Sequence, residues 1–125
     1  MSKWVRVTAT VASILLGLMF IAAGTPKLLG VQQFVDGFAQ LGIPRWFLLF
    51  TGAVEVVSGV FLLIPRLAWI GALGVAATMV GATYIHLVVA PETASSAATT
   101  LCLLAIAAFV VYARRPGARN PTVAV

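Results

Sequence analysis

The sequence predicts an all-α membrane protein: four antiparallel transmembrane helices form a bundle, with a short amphipathic interfacial helix between the first and second spans. Hydrophobic residues make up 62% of the chain and charged residues only 9%, whereas about a quarter of the residues of a soluble domain are charged. The mean hydropathy is +1.09. Four apolar runs have roughly the length of 20 residues that crosses a bilayer core. We therefore expect a single membrane domain over residues 1–125, surrounded by lipid and without a soluble catalytic module.

The four predicted spans cover residues 7–23, 46–64, 67–89 and 93–112, and a short tail follows at 113–125. Pro65 and Arg66 make up nearly the whole connection between spans two and three, which predicts a tight antiparallel hairpin. Pro91 and Glu92 suit the start of span four, because proline is tolerated in the first turn of a helix and a carboxylate there complements the helix dipole.

The long connection at 24–45 is predicted to contain the amphipathic helix, closed by Gly42 and Pro44. Apolar residues recur in it at helical spacing, at Leu28, Val31, Phe34, Val35, Phe38 and Leu41. The polar residues fall mostly on the opposite face, at Gln32, Gln33, Asp36 and Gln40. Such a helix lies at the membrane interface or caps the bundle.

The basic residues are divided unequally between the two ends of the predicted bundle. Lys27 and Arg45 lie at one end, and six basic residues lie at the other: Lys3, Arg6, Arg66, Arg114, Arg115 and Arg119. Cytoplasmic loops carry an excess of Lys and Arg, so we predict a multi-pass protein of the plasma or inner membrane with both termini in the cytoplasm. This topology explains the net charge of +5 without a nucleic-acid partner, and none is expected.

Glu55 is the one charged residue between Arg45 and Arg66. Polar side chains within a membrane face protein or water. Glu55 shares a helical face with other polar or small residues, among them Thr51 and Gly59. We therefore expect the carboxyl group of Glu55 to point into the bundle.

Lys27 and His86 are the ionisable residues of complementary kind on the inner faces of the outer half of the bundle. His86 lies about eight residues beyond the centre of its span, roughly 12 Å from the depth of Glu55, so a direct contact needs tilted or shifted helices. Lys27 lies further out and would have to reach down. Thr51, Tyr84 or water are the candidates for bridging the gap.

Each of these residues also has a structural interpretation. Glu55 is either a proton-handling or ligand-binding group, or a protonated residue that only hydrogen-bonds to Thr, Ser or the backbone. Lys27 and His86 also suit anchoring at the interface. Cys102 is the single cysteine, interpreted as a small buried residue. It leaves no internal disulfide or thiolate cluster, and no metal site is predicted.

Three sequence elements resemble, in their order, the DoxX-like family of small four-helix membrane proteins. They read AAGTPKLLG, TGAVEVVSGVFLLIPR and GALGVAATMVGATYIHL. The family has a Gly-x-x-Lys-Leu element after span one, a Gly-x-x-Glu element in span two, and a histidine after a Gly-Ala pair near the end of span three. The matching positions, over about residues 8–112, are Gly24, Lys27 and Leu28, Gly52 and Glu55, and Gly81, Ala82 and His86.

The resemblance implies the four-helix fold and a range of functions. Members are described as subunits of thiosulfate:quinone oxidoreductase, as membrane partners in oxidative-stress complexes and, in distant branches, as assembly or export chaperones. With one cysteine and one histidine, this chain departs from the thiol-redox branches and has no haem-ligand pair. Electron transfer would therefore need a bound quinone or a partner subunit.

The first functional hypothesis is a subunit or accessory of a quinone-linked redox complex, either non-catalytic or quinone-binding. In it Lys27, Glu55 and His86 bind a polar head group or relay protons, supported by Thr51 and Tyr84. A quinone is the candidate cofactor, and redox-enzyme subunits or further copies of this chain are the candidate partners. The alternatives are a proton-coupled exporter of small lipophilic molecules, with Glu55 as the exchangeable carboxyl, and a membrane scaffold or assembly chaperone.

Overall fold

The computed structural model describes residues 2–118, and the regular elements of this range are helical. The elements are α1 (Lys3–Leu28), α2 (Gln32–Gln40), α3 (Arg45–Leu63), α4 (Ala68–Tyr84) with a π-helical extension (Ile85–Val89), a 3₁₀ segment (Pro91–Ser96), α5 (Ala97–Arg114) and a 3₁₀ turn (Pro116–Ala118). Four of the helical stretches in residues 2–118 are long and apolar enough to cross a membrane. The predicted all-α fold with four spans and a short helix between spans one and two is confirmed. Arg119, included in the sequence-based charge analysis, lies outside the described residues.

The four long helices form a closed ring. α1 packs on α3, α3 on α4 and α4 on α5, and α5 returns to α1. Their inward faces meet in an apolar core that includes Leu16, Phe20, Leu62, Ala72, Val75, Met79, Ala107 and Val110. Large apolar side chains also cover the outward faces, where Leu15 and Phe50 are more than half exposed. These faces contact lipid, because a helix that is hydrophobic all round is buried in a core or a membrane.

The first helix is longer than the predicted span at 7–23, and continues through Gly24 and Pro26 to Leu28. Proline removes a backbone donor and normally ends or kinks a helix. Here Pro26 lies in the last turn of α1, where few further helical hydrogen bonds depend on it. The extension places Lys27 on α1 itself, three residues after Gly24 and on the same face.

The connecting helix α2 is amphipathic, as predicted, although it begins at Gln32 because Leu28 belongs to α1. Its half-buried apolar residues are Phe34, Val35 and Phe38, followed by Leu41, and its exposed polar residues are Gln32, Gln33, Asp36 and Gln40. Gly30 and Gly42 form the turns on either side, with φ of +70° and +74°, a conformation that favours glycine. These turns set α2 against α1 and α3.

The charged ends of the helices follow the predicted topology. The start of α1, the turn at Arg66 and the end of α5 share one end of the bundle, opposite α2. At this end Arg114 donates a hydrogen bond to Thr10, which ties α5 to α1, and Arg115 lies 4.3 Å from the ring centroid of Tyr112. That this end faces the cytoplasm stays a prediction. Cys102, interpreted as a buried residue, is instead exposed, because it lies on the outward face of α5.

Two pairs of glycines bring α1 and α3 into backbone contact. A Cβ atom on Gly17 would lie 2.8 Å from the carbonyl oxygen of Gly59, and one on Gly24 would lie 2.6 Å from that of Gly52. Residue numbers rise along one helix as they fall along the other, so the two helices are antiparallel. Small residues of this kind let membrane helices approach closely, and the substitution of any of the four would force α1 and α3 apart.

We expect Gly59→Ala to lower the melting temperature of the purified protein in detergent by several degrees. The added methyl group would meet the backbone of Gly17 at 2.7 Å, and overpacking of this kind costs about 1–3 kcal/mol. Gly81→Ala is the matched control, since a Cβ on Gly81 meets nothing within 4 Å and alanine favours a helix. Equal melting temperatures for the two variants, measured by circular dichroism, would contradict the glycine contact.

Candidate functional site

Glu55 lies in the middle of α3 with only 3% of its surface exposed. The buried face of α3 also carries Gly52, Ser58 and Gly59, each three or four residues from Glu55, as neighbours on a helical face are. The prediction that Glu55 points into the bundle agrees with this burial. A carboxyl group at this depth needs a partner, because an isolated buried charge is strongly unfavourable.

That partner is Lys27, whose Nζ atom lies 2.5 Å from Oε1 of Glu55. The side chain of Lys27 is itself only 16% exposed. Side chains on a helix lean toward its N-terminus, and α1 and α3 are antiparallel. Lys27 and Glu55 therefore lean toward each other along the bundle axis, and this covers the difference in depth between their backbones.

The glycines one turn before each charged residue make room for this ion pair. A Cβ on Gly24 would lie 2.9 Å from Cβ of Glu55, and a Cβ on Gly52 would lie 2.9 Å from Cβ of Lys27. In each Gly-x-x-charge element, the glycine therefore lies against the charged residue of the other element, where a larger side chain would not fit. The spacing of three residues keeps glycine and charge on one helical face.

His86 approaches the same region from the π-helical extension of α4. Its Nδ1 atom lies 2.8 Å from Oγ1 of Thr93, and this hydroxyl donates to the carbonyl oxygen of Ala90. Because the hydroxyl has one proton to donate, it accepts from Nδ1–H of His86. When the imidazole is neutral, Nε2 is then its hydrogen-bond acceptor. π-Helical segments often occur at functional sites.

A cavity of about 510 Å³ lies between α3 and α4 at the α2 end of the bundle. Its polar lining residues are Lys27, Thr51, Glu55, Thr78 and His86. The remaining wall is apolar or glycine, with Phe38 and Leu41 at the α2 end and residues such as Phe47, Val54 and Ile85 along α3 and α4. The cavity is thus an apolar chamber with a few polar groups, as small-molecule sites commonly are.

The structure brings four of the five predicted site residues to this cavity and leaves one outside. Lys27, Glu55, Thr51 and His86 line it, whereas Tyr84 is 58% exposed and points outward. Tyr84 is two residues from His86, about 200° around a helix, so the two side chains face opposite ways. Thr78 belongs to the site and was not predicted, although it lies eight residues from His86 on the same helical face.

One polar atom of the site is left without a partner. Among residues 2–118, no hydrogen-bond partner is found for Oε2 of Glu55, which is buried. A buried acceptor without a donor costs about 1–3 kcal/mol. A molecule that fills the cavity and donates to this oxygen would recover that free energy.

Stability should follow the balance of charge between positions 27 and 55. Lys27→Met removes the counter-ion of the buried carboxyl group of Glu55, and removal of one partner of a buried pair costs about 3–5 kcal/mol. We expect Lys27→Met to lower the melting temperature markedly, and Glu55→Gln added to Lys27→Met to restore much of it. Glu55→Gln alone should fold, whereas Glu55→Lys, which opposes two cations, should not.

Glu92→Gln is the control, since Glu92 is exposed and outside the cavity. Thermal unfolding in detergent measures all five variants. A Lys27→Met protein as stable as Glu92→Gln would contradict the ion pair.

Residues 11–117 match the model of the DoxX-like family. No curated protein and no solved structure matches the chain. The family match covers most of the sequence and includes the glycines, the ion pair and His86. The chain belongs to the DoxX-like family.

Proposed function

We propose that this chain binds a quinone-class molecule in the cavity between α3 and α4, as a subunit or accessory of a membrane redox complex. The observation that carries the proposal is the buried, unpartnered Oε2 of Glu55, a residue that lines an otherwise largely apolar cavity. A molecule of the quinone class has a neutral ring with polar oxygens and an apolar tail, and in its reduced form it has hydroxyl groups that can donate to such an acceptor.

The size and lining of the cavity support a small amphipathic ligand. Ligand pockets commonly enclose roughly 300–1,000 Å³ and combine apolar walls with a few polar groups, and this cavity has about 510 Å³. The polar groups come from three helices, with Lys27 on α1, Thr51 and Glu55 on α3, and Thr78 and His86 on α4 and its extension. Aromatic Phe38 and Phe47 suit contact with a flat ring.

The charge of the site favours a neutral ligand. Lys27 and Glu55 neutralise each other at 2.5 Å, so a charged head group would enter an apolar cavity without a counter-charge. A lipophilic cation would also meet the ammonium group of Lys27. The ion pair thus favours a quinone over the lipophilic cations that a proton-coupled exporter would carry.

The residues around the cavity suit proton-coupled chemistry at a quinone. A bound quinone supplies a couple that takes up two electrons and two protons. Lys27 would donate a hydrogen bond to a ring oxygen, and the carboxylate of Glu55 and the imidazole of His86 are lining groups that can accept a proton. With a single cysteine and a single histidine in the sequence, we assign the supply of electrons to a partner subunit.

Binding of a short-chain benzoquinone or its hydroquinone should raise the melting temperature of the purified protein with ligand concentration, because a ligand that binds only the folded state stabilises it. For the hydroquinone, whose hydroxyl groups can donate to Glu55 and His86, Glu55→Gln and His86→Ala should each weaken the effect. If both residues contact one ligand, their losses should be non-additive in a double-mutant cycle. Glu92→Gln should behave as the wild type.

Three outcomes would contradict this function: no stabilisation by quinone in the wild type, strictly additive losses, or stabilisation by cationic dyes instead. A complementary measurement is organic extraction of the purified protein followed by mass spectrometry. The expected result is a co-purified molecule of the quinone class.

A further inference from the structure

We infer that the cavity binds the reduced, hydroquinone form of its ligand more tightly than the quinone form, an inference that rests on the proposed function. The two forms have nearly the same size and apolar surface. They differ at the two ring oxygens, which are carbonyl acceptors in the quinone and hydroxyl groups in the hydroquinone. The hydrogen-bonding atoms of the cavity therefore decide between them.

Glu55 has an acceptor atom that lacks a hydrogen-bond donor. Its Oε1 atom accepts from Lys27 at 2.5 Å, and its Oε2 atom is buried, with no donor from any residue in the 2–118 range. A carboxylate only accepts hydrogen bonds. A ligand that satisfies Oε2 must therefore bring an O–H or N–H group of its own.

His86 also offers an acceptor atom that a hydrogen-bond donor of the ligand can use. Its Nδ1–H donates to Oγ1 of Thr93 at 2.8 Å, because the hydroxyl group of Thr93 donates its own proton to the carbonyl oxygen of Ala90. The neutral ring then has Nε2 as its free acceptor. Two of the residues that line the cavity thus carry an acceptor atom.

A quinone satisfies neither acceptor, because its ring oxygens have no protons. A carbonyl oxygen close to Oε2 would also bring two regions of negative charge together in a low-dielectric site. The hydroxyl group of a hydroquinone donates to Oε2 and can still accept from Lys27. Since Lys27 can donate to either form, the discrimination comes from Glu55, with His86 adding to it.

The size of the preference follows from the cost of one unsatisfied buried acceptor, which corresponds to about tenfold or more in affinity. By linkage, tighter binding of the reduced form makes the bound quinone easier to reduce. For a two-electron couple, a tenfold preference raises the reduction potential by about 30 mV. The site thus favours a reaction that consumes quinone and yields hydroquinone.

The test compares three probes of similar shape on the full-length wild type in detergent under anaerobic conditions. They are a decyl-substituted benzoquinone, the same compound reduced to the hydroquinone, and the dimethyl ether of that hydroquinone. Isothermal titration gives the three dissociation constants. We expect the hydroquinone to bind about tenfold or more tightly than the quinone, and the ether, which has no O–H group, to lose this advantage.

The same titrations on Glu55→Gln locate the preference. A glutamine amide both donates and accepts, so it serves a carbonyl as well as a hydroxyl, and we expect the two forms to bind about equally. His86→Ala should reduce the preference, and Glu92→Gln should keep it.

The outcomes separate the two proposals. Equal affinity of the wild type for quinone and hydroquinone would overturn the preference and leave quinone binding intact. No binding of either form would overturn both. An ether that binds as tightly as the hydroquinone would overturn the preference without any variant, even if Glu55→Gln does not fold. A preference that persists in a folded Glu55→Gln protein would overturn the role of Glu55.

Discussion

The ion pair between Lys27 and Glu55 is the constraint on which the α1–α3 interface and the cavity depend. Both charges are largely withdrawn from solvent, and a buried pair repays the loss of hydration only when its geometry is good. The contact at 2.5 Å sets the axial position of α1 against α3. The glycines beside it serve the same end, because no side chain at Gly24 or Gly52 would leave room for the pair.

The ion pair also influences how the chain is arranged at the α2 end of the cavity. α1 has to remain helical through Pro26 for Lys27 to reach α3, and the chain then turns at Gly30 into α2. This turn sets α2 at the mouth of the cavity, with Phe38 in its wall. The pair satisfies only one carboxylate oxygen of Glu55, so the interaction that joins two helices also leaves an acceptor for a ligand.

Much of the fold could be predicted from the sequence, because the bilayer limits the possible structures to a few. Apolar runs of sufficient length become spanning helices, and the 3.6-residue period places α2 and the inward face of α3. α1 continues beyond the predicted span at 7–23 to Leu28, and the packing of Gly24 against α3 accompanies this extension. The π-helical extension that carries His86 has no evident sequence signal.

The site was predictable as a set of residues and less so as a geometry. Depth along the backbone predicts that Lys27 lies further out and has to reach down to Glu55, and it does not show that side chains lean toward the N-terminus of each helix. In antiparallel helices this lean brings the two groups together. Tyr84 was included for its depth, although its angular position relative to His86 places it on the lipid side. Thr78 lies on the same helical face as His86, but it is not ionisable, and the predicted site was built mainly around ionisable side chains.

Infrared difference spectroscopy tests the ion pair most directly, since the sequence has only three acidic residues and Glu55→Gln isolates one of them. The spectrum of the wild type minus that of Glu55→Gln should contain the stretching bands of an ionised carboxylate. In the Lys27→Met background, the same subtraction should instead give the carbonyl band of a protonated carboxylic acid. A protonated-acid band already present in the wild-type difference, and unchanged by Lys27→Met, would contradict the ion pair and the ligand-binding role built on it.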